Sequence, residues 1–312
     1  MRHGSRCRLT LLLGAAAGLA ATTLTPTLSR AAGEGATPPC AKAVYLTFDT
    51  GHMGVAPLVA EVLKRQQVPA TFFLANEPTL TGGGSLDAQW APWWKARAEE
   101  GHAFGSHTWD HDVWRGDVRG SDGRTAFRMQ PTAGPAAMKP RVLDAEGYCA
   151  ELERPARRFE EMTGQRMGSI FRAPGGKTSK ALLDAAAACG WTHVGWADAG
   201  FLGDELPSDR FPNAALLARS LRDIRAGDVL VAHLGIRSRK DPWAPAVLEP
   251  LIVGLKQRGF CFATLREHPQ FALAAKAAAP ANAAKASSAM DAAKAAKGAS
   301  TANAAKAAKA SR

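Results

Sequence analysis

An α/β domain built on a parallel sheet is expected for this chain, for three reasons. Short apolar, β-branched runs alternate with stretches of helical period. Some 240 residues separate a leader from a low-complexity tail, enough for one domain with a sizeable core. Clusters of Asp, His and Arg stand where apolar runs end, which is where such folds collect functional side chains.

The series opens with a strand over Ala43–Phe48 and a helix over Val55–Gln66, with Leu58, Val59, Val62 and Leu63 on one face. Ala70–Leu74 reads as strand, Ala88–Glu99 as helix closed by Gly101, and Ala103–Ser106 as strand. Asp112–Asp144 holds Gly, Pro, Ser and mixed charge without a sustained period, so a lid or substrate-binding loop over the site is expected there. Helix Glu146–Thr163, strand Ser169–Phe171, helix Ser179–Cys189 and strand Thr192–Trp196 follow. Helix Asn213–Arg225, strand Asp228–Ala232, helix Pro245–Gln257 and strand Phe260–Thr264 complete the alternation. About seven parallel strands favour a barrel over an open sheet.

Residues 1–31 read as a signal peptide: Arg2, Arg6 and Arg8 precede the apolar run Leu9–Leu24, and Ser29-Arg30-Ala31 offers small residues for cleavage. That run is short and rich in Ala and Gly, so no stable transmembrane segment is expected. Export to the periplasm or medium follows, and with it an oxidising environment for Cys40, Cys149, Cys189 and Cys261 once Cys7 leaves. Four cysteines allow three pairings. Cys40–Cys261 would tie the entrance of the first strand to the last strand, and Cys149–Cys189 would join two helices.

The formal charge of +11 is not spread evenly. Removing the four arginines of the leader and the net six charges of the tail leaves the middle of the chain near +1. A polyanion-binding domain, and a specific nucleic-acid partner, are thereby disfavoured. Residues 272–312 repeat Ala-Ala-Lys units with little large apolar surface, so a solvated, disordered tail is expected, whose charge could contact an anionic polymer or a membrane surface. Residues 32–271 are left as the catalytic domain.

The chemistry lies in four clusters: TFDTG at Thr47–Gly51, HTWDH at His107–His111, FRAPGG at Phe171–Gly176 and VLVAHLG at Val229–Gly235. His107 and His111 can present ring nitrogens to one divalent cation if their segment is helical or tightly turned. Asp49, at a strand end beside Gly51, suits a general base. Arg172 leaves a stiff turn and can hold that carboxylate ionised. His233 suits a general acid, with Asp198 as candidate carboxylate partner.

Taken in order, these clusters resemble those of the NodB-homology polysaccharide deacetylases, the family 4 carbohydrate esterases, from about Lys42 to Leu265. The resemblance implies a distorted (β/α) barrel in which a divalent metal, often zinc, activates water against an N-acetyl group on a sugar polymer. It implies Asp49 as base, His107 and His111 as metal ligands, Arg172 as the residue that orients the base, and Asp198 and His233 as the acid pair. Gly175, Val231 and Trp196 would contact the substrate, Gly175 through its backbone N–H at the oxyanion.

One departure bears on the metal. The family's third ligand is an Asp directly after the base, and this chain has Thr50, a far poorer partner for a divalent cation. His52, close by on the same turn, is the expected substitute ligand, with the Thr50 hydroxyl as a secondary contact. The expected activity is metal-dependent removal of N-acetyl groups from a polysaccharide or peptidoglycan. Two alternatives stay open: a polysaccharide-binding pseudoenzyme with a degraded metal site, and a hydrolase of the same fold acting on another acyl ester or amide.

Overall fold

The computed structural model describes residues 40–276. The expected signal peptide, Cys7 and the tail beyond Lys276 lie outside the described residues. Strands β1 (Ala43–Asp49), β2 (Thr71–Leu74) and β3 (Ala103–Ser106) are joined through helices α1 (Ala56–Arg65) and α2 (Ala91–Glu99). After β3 come β4 (Asp112–Arg119), β5 (Thr125–Pro131), β6 (Arg141–Leu143) and the long helix α3 (Ala145–Thr163). The remaining elements are β7 (Ile170–Phe171), α4 (Lys180–Ala188), β8 (Thr192–His193), α5 (Asn213–Asp223), β9 (Val229–His233), α6 (Leu248–Gln257), β10 (Cys261–Phe262) and α7 (Ala272–Ala275).

Among the described residues, seven strands form one sheet in the order β10-β1-β2-β3-β7-β8, with β9 also on β1, and every pairing is parallel. It is the distorted (β/α) barrel that the resemblance implied, with helices packed outside. Both faces of β2 are buried, which is why TFFL reads as a continuous apolar run. Phe72 points to the helical layer, stacked between Phe48 and Phe104, while Phe73 joins Tyr45, Ile170, Val194 and Val229 in a second, smaller cluster.

Local signals explain the helix bounds. The Asp144 carboxylate accepts the Gly147 N–H at 2.7 Å at the start of α3, and Gly164, at φ 72°, ends it. Ser179 caps α4 by accepting the Leu182 N–H at 3.1 Å. In α1 the buried face is Val59, Val62 and Leu63, whereas Leu58 is 39% exposed and not part of it.

Three expectations need correction. Asp112–Asp144 is not an unpatterned lid: β4, β5 and β6 form a separate antiparallel sheet, with a bulge between Trp114 and Gly116. The inward positions of β4 include Asp112 and Gly116, so the apolar half of its period of two is interrupted. Arg141 of β6 ties it to the domain, pairing with Asp112 at 2.6 Å and Glu151 at 3.2 Å.

Secondly, the strand expected over Thr192–Trp196 stops at His193, because the carbonyls of Val194 and Gly195 accept from the Arg172 guanidinium instead of a neighbouring strand. Thirdly, the packed domain runs past residue 271, for Ala272–Ala275 is helical and Phe271 and Ala275 are buried with Leu265. Both cysteine pairs, Cys40–Cys261 and Cys149–Cys189, are disulfides. Among the described residues no helix is long and apolar enough to cross a membrane.

Candidate active site

Strand register delivers the expected side chains to one edge of the sheet. Asp49, the last residue of β1, stands opposite His233, the last residue of β9, and opposite Phe73 of β2. Ser106 of β3 pairs with Phe171 of β7, so His107 and Arg172 leave neighbouring strand ends together. These are the carboxyl ends of parallel strands, where backbone groups beyond the ladder are free to shape a site.

Arg172 is fully buried, and its Nη1 donates to Asp49 Oδ1 at 2.8 Å and to Thr47 Oγ1 at 2.7 Å. Its Nε and Nη2 donate to the carbonyls of Val194 and Gly195, and its plane lies 4.4 Å from the Phe73 ring centre. Burial works to raise the Asp49 carboxyl, but the charges of Arg172, His107 and His233 and the Arg172 hydrogen bond outweigh it and hold the group below the ordinary carboxylate value. Asp49 Oδ2, the oxygen Arg172 does not bond, lies 3.6 Å from His107 Nε2.

The histidine pair sits on a tight turn and not on a helix, with Thr108 and His111 in the left-handed region at φ 58° and 50°. Their ring centres are 4.8 Å apart. His107 Nδ1 is 2.8 Å from the Arg172 carbonyl, and His111 Nδ1 is 2.6 Å from Thr132 Oγ1. With the Nδ1 proton donated in each case, both Nε2 atoms keep a lone pair, the tautomer that a metal-ligating histidine needs. Burial pushes the His107 imidazole down to about 4, with the Asp49 charge opposing it, so the ring is neutral at ordinary pH.

These two histidines fit a divalent cation; Thr50 and His52, the other members of the expected ligand set, do not line their cavity. Thr50 is buried, its hydroxyl accepting the Ala75 N–H at 3.0 Å, so it is committed to the backbone of the neighbouring strand end. His52 makes a backbone contact as well. Its Nδ1 accepts the Gly54 N–H at 3.0 Å, which leaves the proton on Nε2, and the ring packs against Gly235 beside a cavity lined by Trp243. The close approach of Gly51 to the Gly235 carbonyl, only 2.3 Å from where a Cβ would sit, sets this direction. Among the described residues no three His, Cys, Asp or Glu side chains form a ready cage for a metal.

The partner of His233 also needs correction. Asp204, not Asp198, meets it: the carboxylate accepts the His233 backbone N–H at 2.6 Å and lies 3.1 Å from Nδ1. Asp198 instead opens a short 3-10 turn over Asp198–Gly200, and the chain crosses β9 before Asp204 reaches the histidine. A DG or WD signature marks neither residue, and only the contact across the sheet singles out Asp204. Burial disfavours the imidazolium, but the Asp204 charge and hydrogen bond, with Asp49 behind them, push His233 up to about 10.

Asp49, His107, His111 and His233 line one cavity of about 160 Å³ together with Gly175, Trp196 and Val231. Two further carboxylates, Glu77 and Glu205, face it and were not singled out by any motif. Trp196 forms a wall against Gly176, whose φ of 64° and lack of a Cβ, which would lie 2.7 Å from the indole, keep that wall in place. An ionised carboxylate, a histidine paired with a second carboxylate and two imidazoles around one cavity are groups that can serve hydrolytic amide or ester cleavage.

Peptidoglycan-N-acetylmuramic acid deacetylase PdaA of Bacillus subtilis is 24% identical over 230 residues, covering 72% of this chain and 70% of PdaA. A 71-residue stretch, 22% of this chain, is 41% identical to peptidoglycan-N-acetylglucosamine deacetylase PgdA of Listeria monocytogenes, of which it spans 14%. The fold matches that of a family 4 acetyl xylan esterase from Clostridium thermocellum solved with a cobalt ion, at a TM-score of 0.54 and 22% identity, over 74% of this chain and 91% of the esterase. The family model for polysaccharide deacetylase matches residues 36–194, just over half of the sequence, and the chain belongs to that family.

Proposed function

We propose that the domain hydrolyses the N-acetyl amide of a sugar polymer of the peptidoglycan or chitin class, outside the cytoplasm. The observation that carries this reading is the single cavity on which Asp49 and His233 converge from adjacent strands beside His107 and His111. The two disulfides support export, and the relatives named for peptidoglycan support the substrate class.

In this reading Asp49, kept ionised by Arg172, takes a proton from the attacking water at Oδ2. His107 and His111 would hold a divalent cation such as zinc through Nε2, and it would supply Lewis acidity there. Water oxygen bonds to the carbonyl carbon, the C–N bond breaks, and His233 gives its Nε2 proton to the departing amine nitrogen. Asp204 holds the other ring nitrogen and keeps the imidazole charged until that transfer. The Gly175 backbone N–H faces the developing oxyanion, and Trp196 and Val231 enclose the acetyl methyl.

The test is acetate release from N-acetylated chitooligosaccharides and peptidoglycan, and from acetylated xylan, before and after chelation and zinc return. Amide hydrolysis that is lost on chelation and restored by zinc is expected. The committed hydroxyl of Thr50 favours one second reading, a glycan-binding pseudoenzyme, and binding without turnover on any of these substrates would establish it. Release from xylan alone would identify an esterase.

Asp204→Asn is expected to move the alkaline limb of the kcat/KM profile. In the parent, His233 keeps its proton as pH rises until about 10. Without the carboxylate, that limb should fall to about the ordinary histidine value of 6.5 or below it. An unmoved alkaline limb would show that Asp204 does not set the acid.

A further inference from the structure

We propose that the Glu77 carboxylate is the third metal ligand of this protein, completing a His107–His111–Glu77 set in place of the absent Asp. The inference rests on the metal-dependent reading above and names a residue that no motif of the sequence marks.

Backbone bonds hold position 77 against the histidine turn. The Asn76 N–H donates to the Trp109 carbonyl, midway between the two histidines in sequence, at 2.8 Å. The Glu77 N–H donates to Ser85 Oγ at 3.2 Å, and its carbonyl accepts the Ser85 N–H at 2.9 Å. The main chain is thus fixed while the half-buried side chain faces the cavity of Asp49, His107 and His111. Among the described residues no donor bonds the Glu77 carboxylate and no cation pairs with it.

Thr50 links the missing ligand to its replacement. Its hydroxyl accepts the Ala75 N–H, two residues before Glu77, so the side chain at the family's ligand position now anchors the strand end that carries a carboxylate. Charge makes the same point. Two neutral imidazoles leave a divalent cation uncompensated, and the Asp49 charge is already answered by Arg172. One glutamate added to two histidines gives a donor set that suits zinc and leaves a corner open. Of the competing groups, His52 Nδ1 accepts a backbone N–H, and Glu205 directly follows Asp204, the carboxylate that bonds His233. The three proposed ligands do not form a closed cage as they stand. Glu77, with three side-chain torsions and nothing bonded to its carboxylate, is the member free to close on the cation.

The experiment reads metal affinity directly. Metal-stripped parent, Glu77→Gln, His111→Ala and His52→Ala proteins are titrated with zinc by calorimetry, cobalt(II) absorption is recorded for each, and thermal unfolding checks the fold. The expected result is one zinc per chain in the parent and a loss of at least about a hundredfold in affinity in both Glu77→Gln and His111→Ala, since even groups one layer behind the ligands cost up to that much. The cobalt spectrum of Glu77→Gln should change, and His52→Ala should bind like the parent. Parent-like zinc affinity in Glu77→Gln overturns the proposal while leaving the metal-dependent reading intact. A parent that takes up no zinc overturns both.

Discussion

Asp49→Asn is expected to lower turnover at least about a hundredfold while leaving KM nearly unchanged. The amide has the shape of the carboxylate but cannot take a proton at Oδ2, the atom left open by the Arg172 bond. Trp196, Val231 and Gly175, the proposed substrate contacts, line the same cavity and are left unchanged. The effect should therefore appear in kcat, measured as acetate released from an N-acetylated oligosaccharide. Turnover within about tenfold of the parent would remove Asp49 from the proton transfer.

The largest loss of stability is expected from Arg172→Ala. The guanidinium is out of contact with water and bonds four separate acceptors: Asp49, Thr47, Val194 and Gly195. Truncation leaves the Asp49 carboxylate buried without its cation, and breaking a buried pair on one side costs about 3–5 kcal/mol. Asp49→Asn added to Arg172→Ala should recover part of that loss, because the orphaned charge is gone. Urea unfolding of the four proteins gives the comparison. A loss below about 1 kcal/mol in Arg172→Ala would mean that solvent or another cation reaches Asp49.

Residues at strand ends were readable in the sequence because two constraints coincide there. A buried parallel strand is a continuous apolar run, so the first polar residue after it, such as Asp49, His107, Arg172 or His233, marks the rim of the barrel. Asp204 obeys no such rule. It belongs to an irregular crossing between Phe201 and α5, and its role depends on meeting a residue 29 positions away. Glu77 is hidden in the same way, in a loop whose direction is set by bonds to Trp109 and Ser85.

The β4–β6 sheet escaped notice because its strands carry Arg and Asp on the wet face, leaving only short alternations such as Phe127 and Met129. The place of His52 is set by something invisible to spacing. The backbone at Gly51 and Gly235 approaches so closely that the ring packs directly on Gly235.

The Cys40–Cys261 bond joins positions 221 residues apart, so it fastens almost the whole barrel into a covalent ring. In a chain-entropy estimate, closing so long a loop in the unfolded ensemble stabilises the native state by about 5 kcal/mol. A ring also changes what a protease can accomplish. One cut in a surface turn opens the circle but releases no fragment, and the strands that carry Asp49 and His233 stay tethered through sulfur. Damage to the main chain in such a turn becomes a nick that leaves the domain in one covalent piece.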